Sequence, residues 1–209
     1  MTTTDASLRA RRIRLVLFDV DGVLTDGMIW FFPTGRTDAT PADGASASDS
    51  SLSGGTGIPA GSMVEVKGFN AHDGIGLTLA RRAGLKTGVI TKRVSESLTL
   101  RARDLRMDYV RQGVERKREA LEAILVEAGV TAEETCCMGD DIIDLPMLQA
   151  CGLAAAPSNA RPEVLRSAHF VAAHKGGDGA ARDLIEFILR EQQRWTTVAA
   201  EYVQVSEQK

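Results

Sequence analysis

The chain has 209 residues, is 44% hydrophobic and 25% charged, and carries a formal net charge of −3. That length and composition suit one domain with an ordinary buried core. The balance of charge excludes a global basic field for nucleic acid, and no apolar run approaches the ~20 residues of a membrane span.

Residues 1–12 are polar and end in "RARR", which reads as a solvated lead-in rather than a signal peptide. Residues 13–18 then form an apolar strand pattern. It runs straight into "FDVDGVLTDG", which sets Asp19, Asp21 and Asp26 close together. Residues 28–32 and 63–67 read as the arms of a hairpin. Between them, residues 33–62 are rich in Gly, Ser, Ala, Thr and Asp and read as a long loop inserted into a single domain spanning 1–209. Further strands are predicted at 87–91, 108–111, 135–138, 152–155 and 169–172. Helical patterns alternate with them at 74–83, 95–105, 116–128, 142–150, 162–166 and 179–193. The tail after 193 is expected to fray at its polar end. Such alternation predicts an α/β fold with a mostly parallel sheet covered on both faces. Ligands in such sheets bind beyond the carboxyl ends of the strands. Asp19 and Asp21, Thr91, and the "GDDIID" stretch holding Asp140, Asp141 and Asp144 all follow strands, so a parallel sheet gathers them on one edge.

The three cysteines, Cys136, Cys137 and Cys151, are odd in number and include an adjacent pair. They make a poor disulfide framework and lack ligand spacing with the histidines, so a zinc site is not expected. A reducing cytoplasm is the predicted compartment.

The acidic cluster needs a chemical reason, because buried carboxylates repel one another unless paired or bound to a metal. Asp19 and Asp21 are two apart and point to one side of an extended backbone. One carboxylate can be a nucleophile that forms an aspartyl-phosphate, and its neighbour can serve as general acid and base. A divalent cation beside them would offset repulsion with a phosphate dianion, and Mg²⁺ prefers such oxygen ligands. Thr91 supplies a hydroxyl. Arg116, Lys117 and Arg118 supply a cation near a helix start, and spacing alone does not choose among them. Asp141 suits a helix cap. "GGDGAAR" at 176–182 holds only half of a dinucleotide fingerprint, and a glycine-rich loop near the phosphate or a neighbouring subunit is the expected role.

The ordered set D-x-D-G-x-x-T, T, K and G-D-D-x-x-D resembles the haloacid dehalogenase superfamily. Within it, "LFDVDGVLTDG", "FNAHDGIGL", "VITKR", "QGVERKREAL" and "GDDIIDLPML" look like the phosphatases of 3-deoxy-D-manno-octulosonate 8-phosphate, a branch that also includes phosphatases of nine-carbon sugar acids. The resemblance implies a Rossmann-like three-layer sandwich with a small β-hairpin in place of a large cap. It implies Asp19 as nucleophile and Asp21 as general acid/base, with Mg²⁺ held by Asp19, Asp140 and the Asp21 carbonyl. Thr91 and Lys117 would contact the phosphate, and Lys92, Asp73 and Gly74 are expected at the substrate. The implied partners are a small sugar phosphate and three further copies of the chain, with no nucleic acid or membrane. Lys92 stands where the branch usually has Gly, and Asp178 where it often has Arg. A signalling receiver domain also gathers acids, Thr and Lys, but there no acidic pair follows the Lys. A non-catalytic assembly domain of the same fold is the remaining alternative.

Overall fold

The computed structural model describes residues 3–33 and 63–207. The loop expected at 33–62 lies, except for Pro33, outside these residues. Two compact units emerge: Met1–Met28 together with Gly68–Lys209, and Ile29–Lys67.

The larger unit is built on a parallel sheet of six strands. In chain order these are β1 (Leu15–Phe18), β4 (Lys86–Ile90), β5 (Tyr109–Arg111), β6 (Thr135–Met138), β7 (Leu153–Ala156) and β8 (Phe170–Val171). Across the sheet the order is β5-β4-β1-β6-β7-β8. Every neighbouring pair is parallel, as the strand–helix alternation predicts. Helices α1 (Thr3–Ala10), α2 (Ala71–Arg82), α3 (Glu96–Leu105), α4 (Lys117–Ala128), α5 (Leu145–Leu148), α6 (Pro162–Ser167), α7 (Ala180–Glu191) and α8 (Trp195–Glu207) complete it.

Burial on both faces explains why the strands are continuously apolar. Val16 and Phe18 of β1 join Cys136, Met138, Leu77 of α2 and Leu184 and Ile188 of α7 in one core. Leu15 and Leu17 point the other way, with Cys137, Ala154, Leu121 and Ile124 of α4, and Met147 of α5. Helix α7 buries Ala180, Ala181, Leu184, Ile185, Ile188 and Leu189, a stripe at helical spacing.

Three predicted elements differ. The lead-in forms α1, in which Ala6 and Ala10 are buried. The tail forms α8, where the Trp195 ring lies under the guanidinium groups of Arg182 and Arg190. The single helix expected at 142–150 splits into a 3₁₀ turn (Ile142–Asp144) and α5, with Pro146 in the first turn of α5. Proline has no N–H to continue an earlier turn but suits a helix start.

The smaller unit contains an antiparallel pair, β2 (Trp30–Pro33) and β3 (Met63–Val66), with Trp30 opposite Val66 and Phe32 opposite Val64. Its apolar side chains are open to solvent, with Trp30 52%, Phe31 57% and Phe32 50% exposed. Within it, Lys67 pairs with Glu65 at 3.1 Å.

Close approach of β4 to β5 rests on a glycine. A Cβ on Gly88 would stand 2.5 Å from the Tyr109 carbonyl oxygen and 3.0 Å from Leu17 Cδ2. Gly88→Ala is expected to lower stability by about 1–3 kcal/mol, the usual cost of overpacking, read from the midpoint of urea unfolding. An unchanged midpoint would show that the two strands can separate without loss.

Candidate active site

The carboxyl ends of β1, β4 and β6 lie side by side at the centre of the sheet. The Asp19 N–H still donates to Met138 O at 2.9 Å, extending the β1–β6 ladder by one residue and holding Asp19 in place, only 4% exposed. Beyond it the chain turns sharply: the N–H groups of Val23, Leu24 and Thr25 all donate to Val20 O. The third acid of the opening cluster belongs to this turn, since Asp26 Oδ1 accepts from Met28 N at 2.9 Å.

Lys117 opens α4 and is buried. Its Nζ donates to Asp19 Oδ1 at 2.7 Å and to Asp144 Oδ1 at 2.5 Å. The other oxygen of Asp144 accepts from Asp140 N at 3.0 Å and Asp141 N at 3.2 Å. Asp141 caps the 3₁₀ turn by accepting from Ile142 N at 2.6 Å, the role expected for it. The side chain of Asp140 lies over Gly22, where a Cβ would come within 2.2 Å of Asp140 Oδ2. Gly22 also has φ +90°, a conformation open to glycine.

One carboxylate oxygen each from Asp19, Asp140 and Asp144 lies within 4.8 Å of the others. This concentration of charge shifts the titration of the group. Burial, then the Asp144 charge, push Asp19 up to about 6 against the pull of Lys117. Burial, then the charges of Asp19, Asp144 and Asp141, push Asp140 up to about 7. Burial would lower Lys117, but the charges of Asp19 and Asp144 raise it above the ordinary lysine range. Asp140 Oδ1 is buried with no hydrogen-bond partner. A cation fits here: hard oxygen donors converge, carry excess negative charge, and leave one oxygen unsatisfied.

The expected residues divide into two groups. Asp19, Asp140 and Lys117 come together. Asp21 stands beside this cluster in sequence, and its Oδ2 lies 3.8 Å from Arg93 Nε. Thr91 is buried at the end of β4, with its N–H donating to Arg111 O at 2.9 Å. No hydrogen bond or ion pair joins Lys92, Asp73 or Gly74 to the carboxylate cluster among the described residues. Exposed Lys92 instead pairs with Glu115 at 3.2 Å. Buried Asp73 accepts from Arg182 N at 2.9 Å and Gly179 N at 3.4 Å, joining α2 to the start of α7. Burial raises its pKa, against those backbone bonds. Gly74 makes room for a guanidinium, since a Cβ there would meet Arg101 Nη2 at 2.3 Å.

Two further charged residues, Asp144 and Arg93, contact residues expected at the site. The sequence signal for Asp144 is the third Asp of "GDDIID". Arg93 closes the "VITKR" stretch two positions after Thr91, and that stretch is its signal. The glycine-rich stretch also has a definite place. Gly177 N donates to Val23 O at 2.9 Å, Gly176 N to Asn159 Oδ1 at 2.9 Å, and Asn70 Nδ2 to Gly177 O at 3.3 Å. A Cβ on Gly176 would lie 1.8 Å from Gly22 O. The stretch therefore packs backbone against backbone on the turn that follows Asp19.

Known proteins are similar to this chain in sequence and fold. The model of the haloacid dehalogenase-like hydrolase family matches residues 94–184. The 3-deoxy-D-manno-octulosonate 8-phosphate phosphatase of Yersinia pestis is 31% identical over 190 residues, covering 91% of this chain and 87% of the relative. The crystal structure of the phosphatase of that name from Yersinia pestis superposes with a TM-score of 0.76 at 30% identity, covering 92% of this chain and 89% of the other. The corresponding enzyme of Moraxella catarrhalis, solved in complex with magnesium ion, phosphate ion and a KDO molecule, gives a TM-score of 0.79 at 25% identity, covering 96% and 99%. Sequence and fold agree: the chain belongs to the haloacid dehalogenase superfamily and is a phosphatase of the kind that acts on sugar phosphates.

Proposed function

We propose that this chain hydrolyses a small phosphorylated sugar acid, of the 3-deoxy-D-manno-octulosonate 8-phosphate class, through an aspartyl-phosphate on Asp19. The observation that carries this reading is the buried Lys117 bridging Asp19 and Asp144 beside the unsatisfied oxygen of Asp140. Lys117 fixes the Asp19 carboxylate and offsets part of the charge that an incoming phosphate would meet. Asp19 attacks phosphorus; its O–P bond forms as the ester P–O bond breaks. Asp21 gives its proton to the departing sugar oxygen. It then takes a proton from the water that attacks phosphorus and releases Asp19 and inorganic phosphate. Thr91 donates to a phosphoryl oxygen. Asp19, Asp140 and the Asp21 carbonyl would hold Mg²⁺, which when bound would neutralise charge between Asp19 and the phosphate dianion. Asp144 positions Lys117 and the 140–141 backbone, because both of its oxygens are already engaged.

The same reading includes a homotetramer in the cytoplasm. Support for self-association comes from the two-stranded ribbon, whose exposed Trp30, Phe31 and Phe32 form apolar surface without a core of their own. Among the described residues no helix is long and apolar enough to cross a membrane, and the three cysteines are free thiols.

Phosphate release from a panel of phosphorylated sugar acids, with and without Mg²⁺, tests the assignment. Asp19→Asn should abolish turnover in a folded protein, since an amide does not form the acyl-phosphate. Asp21→Asn should slow turnover by roughly 10²–10⁴-fold, a typical loss for an acid/base group. Full activity of either variant, with deamidation excluded by mass spectrometry, removes that residue from its role.

Asp140 supports a separate prediction about stability. Its pKa rises from an ordinary 3.8 to about 7 in the folded chain. Stability from this proton is fully present below pH 3.8 and is lost as pH rises through about 7. In EDTA, Asp140→Asn should therefore raise the melting temperature more at about pH 8 than at about pH 5. Mg²⁺ should raise the melting temperature of the parent at the higher pH and have less effect on the variant. A difference that is flat across pH would show that Asp140 does not carry the excess charge.

A further inference from the structure

A second polar feature lies at the opposite end of β1. A groove of about 540 Å³ is lined by Arg11, Arg12, Arg14 and Arg194, with Glu191 and Gln192 on its wall. The four guanidinium groups are gathered on a chain whose net charge is −3. Their compensation is incomplete. Arg11 shares Glu191 at 3.4 Å, and Arg14 shares Glu134 at 3.2 Å. Arg12 makes no ion pair among the described residues. Arg194 bonds only neutral acceptors there, the Ala83 carbonyl through Nη2 and Gln192 Oε1 through Nη1 at 3.4 Å. Arg194 thus remains without a carboxylate partner among the described residues, and Arg12 has Glu133 near enough for an electrostatic interaction but not for an ion pair; both are flanked by two arginines that are shared at the surface, where such pairs are weak.

The walls are preorganised. Gln192 Nε2 donates to Ala10 O at 3.0 Å and Ile13 O at 2.8 Å, stapling the end of α7 to the segment that carries three of the arginines. Glu191 is steadied from behind by Ser7 Oγ at 3.0 Å, and in turn sets Arg11. Arg11 and Arg194 are thus held before a ligand arrives, and side chains already held lose less freedom on binding.

We propose that this groove binds a small polyanion with two or more linked phosphoryl groups, such as a polyphosphate or the phosphate chain of a nucleotide. Guanidinium forks match phosphoryl oxygens in pairs, and several such forks in one groove suit several linked groups better than one orthophosphate. The groove has the volume of a small-molecule site. Among the described residues no aromatic side chain lines it on which a base could stack, so recognition falls on the phosphates and not on a nucleic-acid strand. The site is separate from the carboxylate cluster, which lies beyond the other end of the same strand.

Calorimetric titration of the full chain with inorganic tripolyphosphate in EDTA tests this, with orthophosphate in parallel. Tripolyphosphate should bind at micromolar concentration, and orthophosphate at least about tenfold more weakly. Arg12→Glu combined with Arg194→Glu should weaken tripolyphosphate by at least about tenfold and flatten the salt dependence, while hydrolysis of a generic phosphate ester with Mg²⁺ stays within about twofold. Arg194 also holds the end of α2, so Arg12→Glu alone, at an exposed side chain, is the companion variant and should show part of the same loss. Binding of equal strength in both variants would place the anion elsewhere and overturn the proposal. Absence of heat at millimolar tripolyphosphate would do the same, as would tighter binding of single-stranded DNA than of tripolyphosphate.

Discussion

A buried lysine held between two aspartates organises this molecule. Three carboxylates, Asp19, Asp140 and Asp144, face one ammonium, Lys117, so the fully ionised group keeps two negative charges in excess. Breaking a buried pair by removing one partner typically costs about 3–5 kcal/mol, because the other charge is left uncompensated. Burial first, and this excess of charge second, raise the pKa values of Asp19 and Asp140. The excess also explains why a cation is the natural complement of the site. Asp144 meets the demand of two chain segments at once, since one oxygen faces Lys117 and the other faces the backbone that carries Asp140.

The sheet order makes this meeting possible. The chain lays down β1, then β4 and β5 on one side, then β6, β7 and β8 on the other. The two directions part between β1 and β6, where neighbouring connections leave over opposite sides and open a crevice beyond the strand ends. Asp19 closes β1 on that boundary, and the Gly139–Asp140 segment closes β6. Gly139 is needed there because a Cβ would stand 2.4 Å from Asp144 Cβ. The turn after Asp19 is then braced from far along the chain, by Gly176 and Gly177, whose position depends in turn on Asn159 and Asn70. The proposed nucleophile, four residues past the start of the first strand, is thus followed by a turn that the last third of the sequence holds.

Much of this was legible in the residues. Apolar runs of four to six residues ending in Asp, Thr or Gly-Asp marked β1, β4 and β6 together with their functional ends, because buried parallel strands leave no alternation to confuse the reading. What escaped depends on tertiary contact. The helix α1 carries no apolar stripe; it is held by Ala6 and Ala10 and by Arg9 reaching the Gly152 carbonyl. Asp73, expected at the substrate, also has its oxygens facing the N–H groups that start α7, over a hundred residues away. No local pattern distinguishes a carboxylate that caps a distant helix from one that meets a ligand. Spacing does not tell Lys117 from Arg116 and Arg118, and only the resemblance of "QGVERKREAL" selects it; in the structure, burial separates it from its exposed neighbours.

The charge pattern gives β1 a polarity that the net charge hides. Arg14 enters the strand and Asp19 leaves it, with four fully buried residues between them. Backbone bonds fix both ends: Arg14 N donates to Glu134 O, Lys86 N donates to Arg14 O, and Asp19 N donates to Met138 O. An arginine-rich end and an aspartate-rich end are therefore joined by one rigid element, packed against its neighbours on both sides. Carboxylates gathered at one end raise one another's pKa and call for a cation, while guanidinium groups gathered at the other remain charged at any physiological pH. Intermixed, the same residues would neutralise one another as surface pairs of little energetic value. Segregated along a central strand, each set keeps an unbalanced charge, and unbalanced charge is what gives either end a reason to bind.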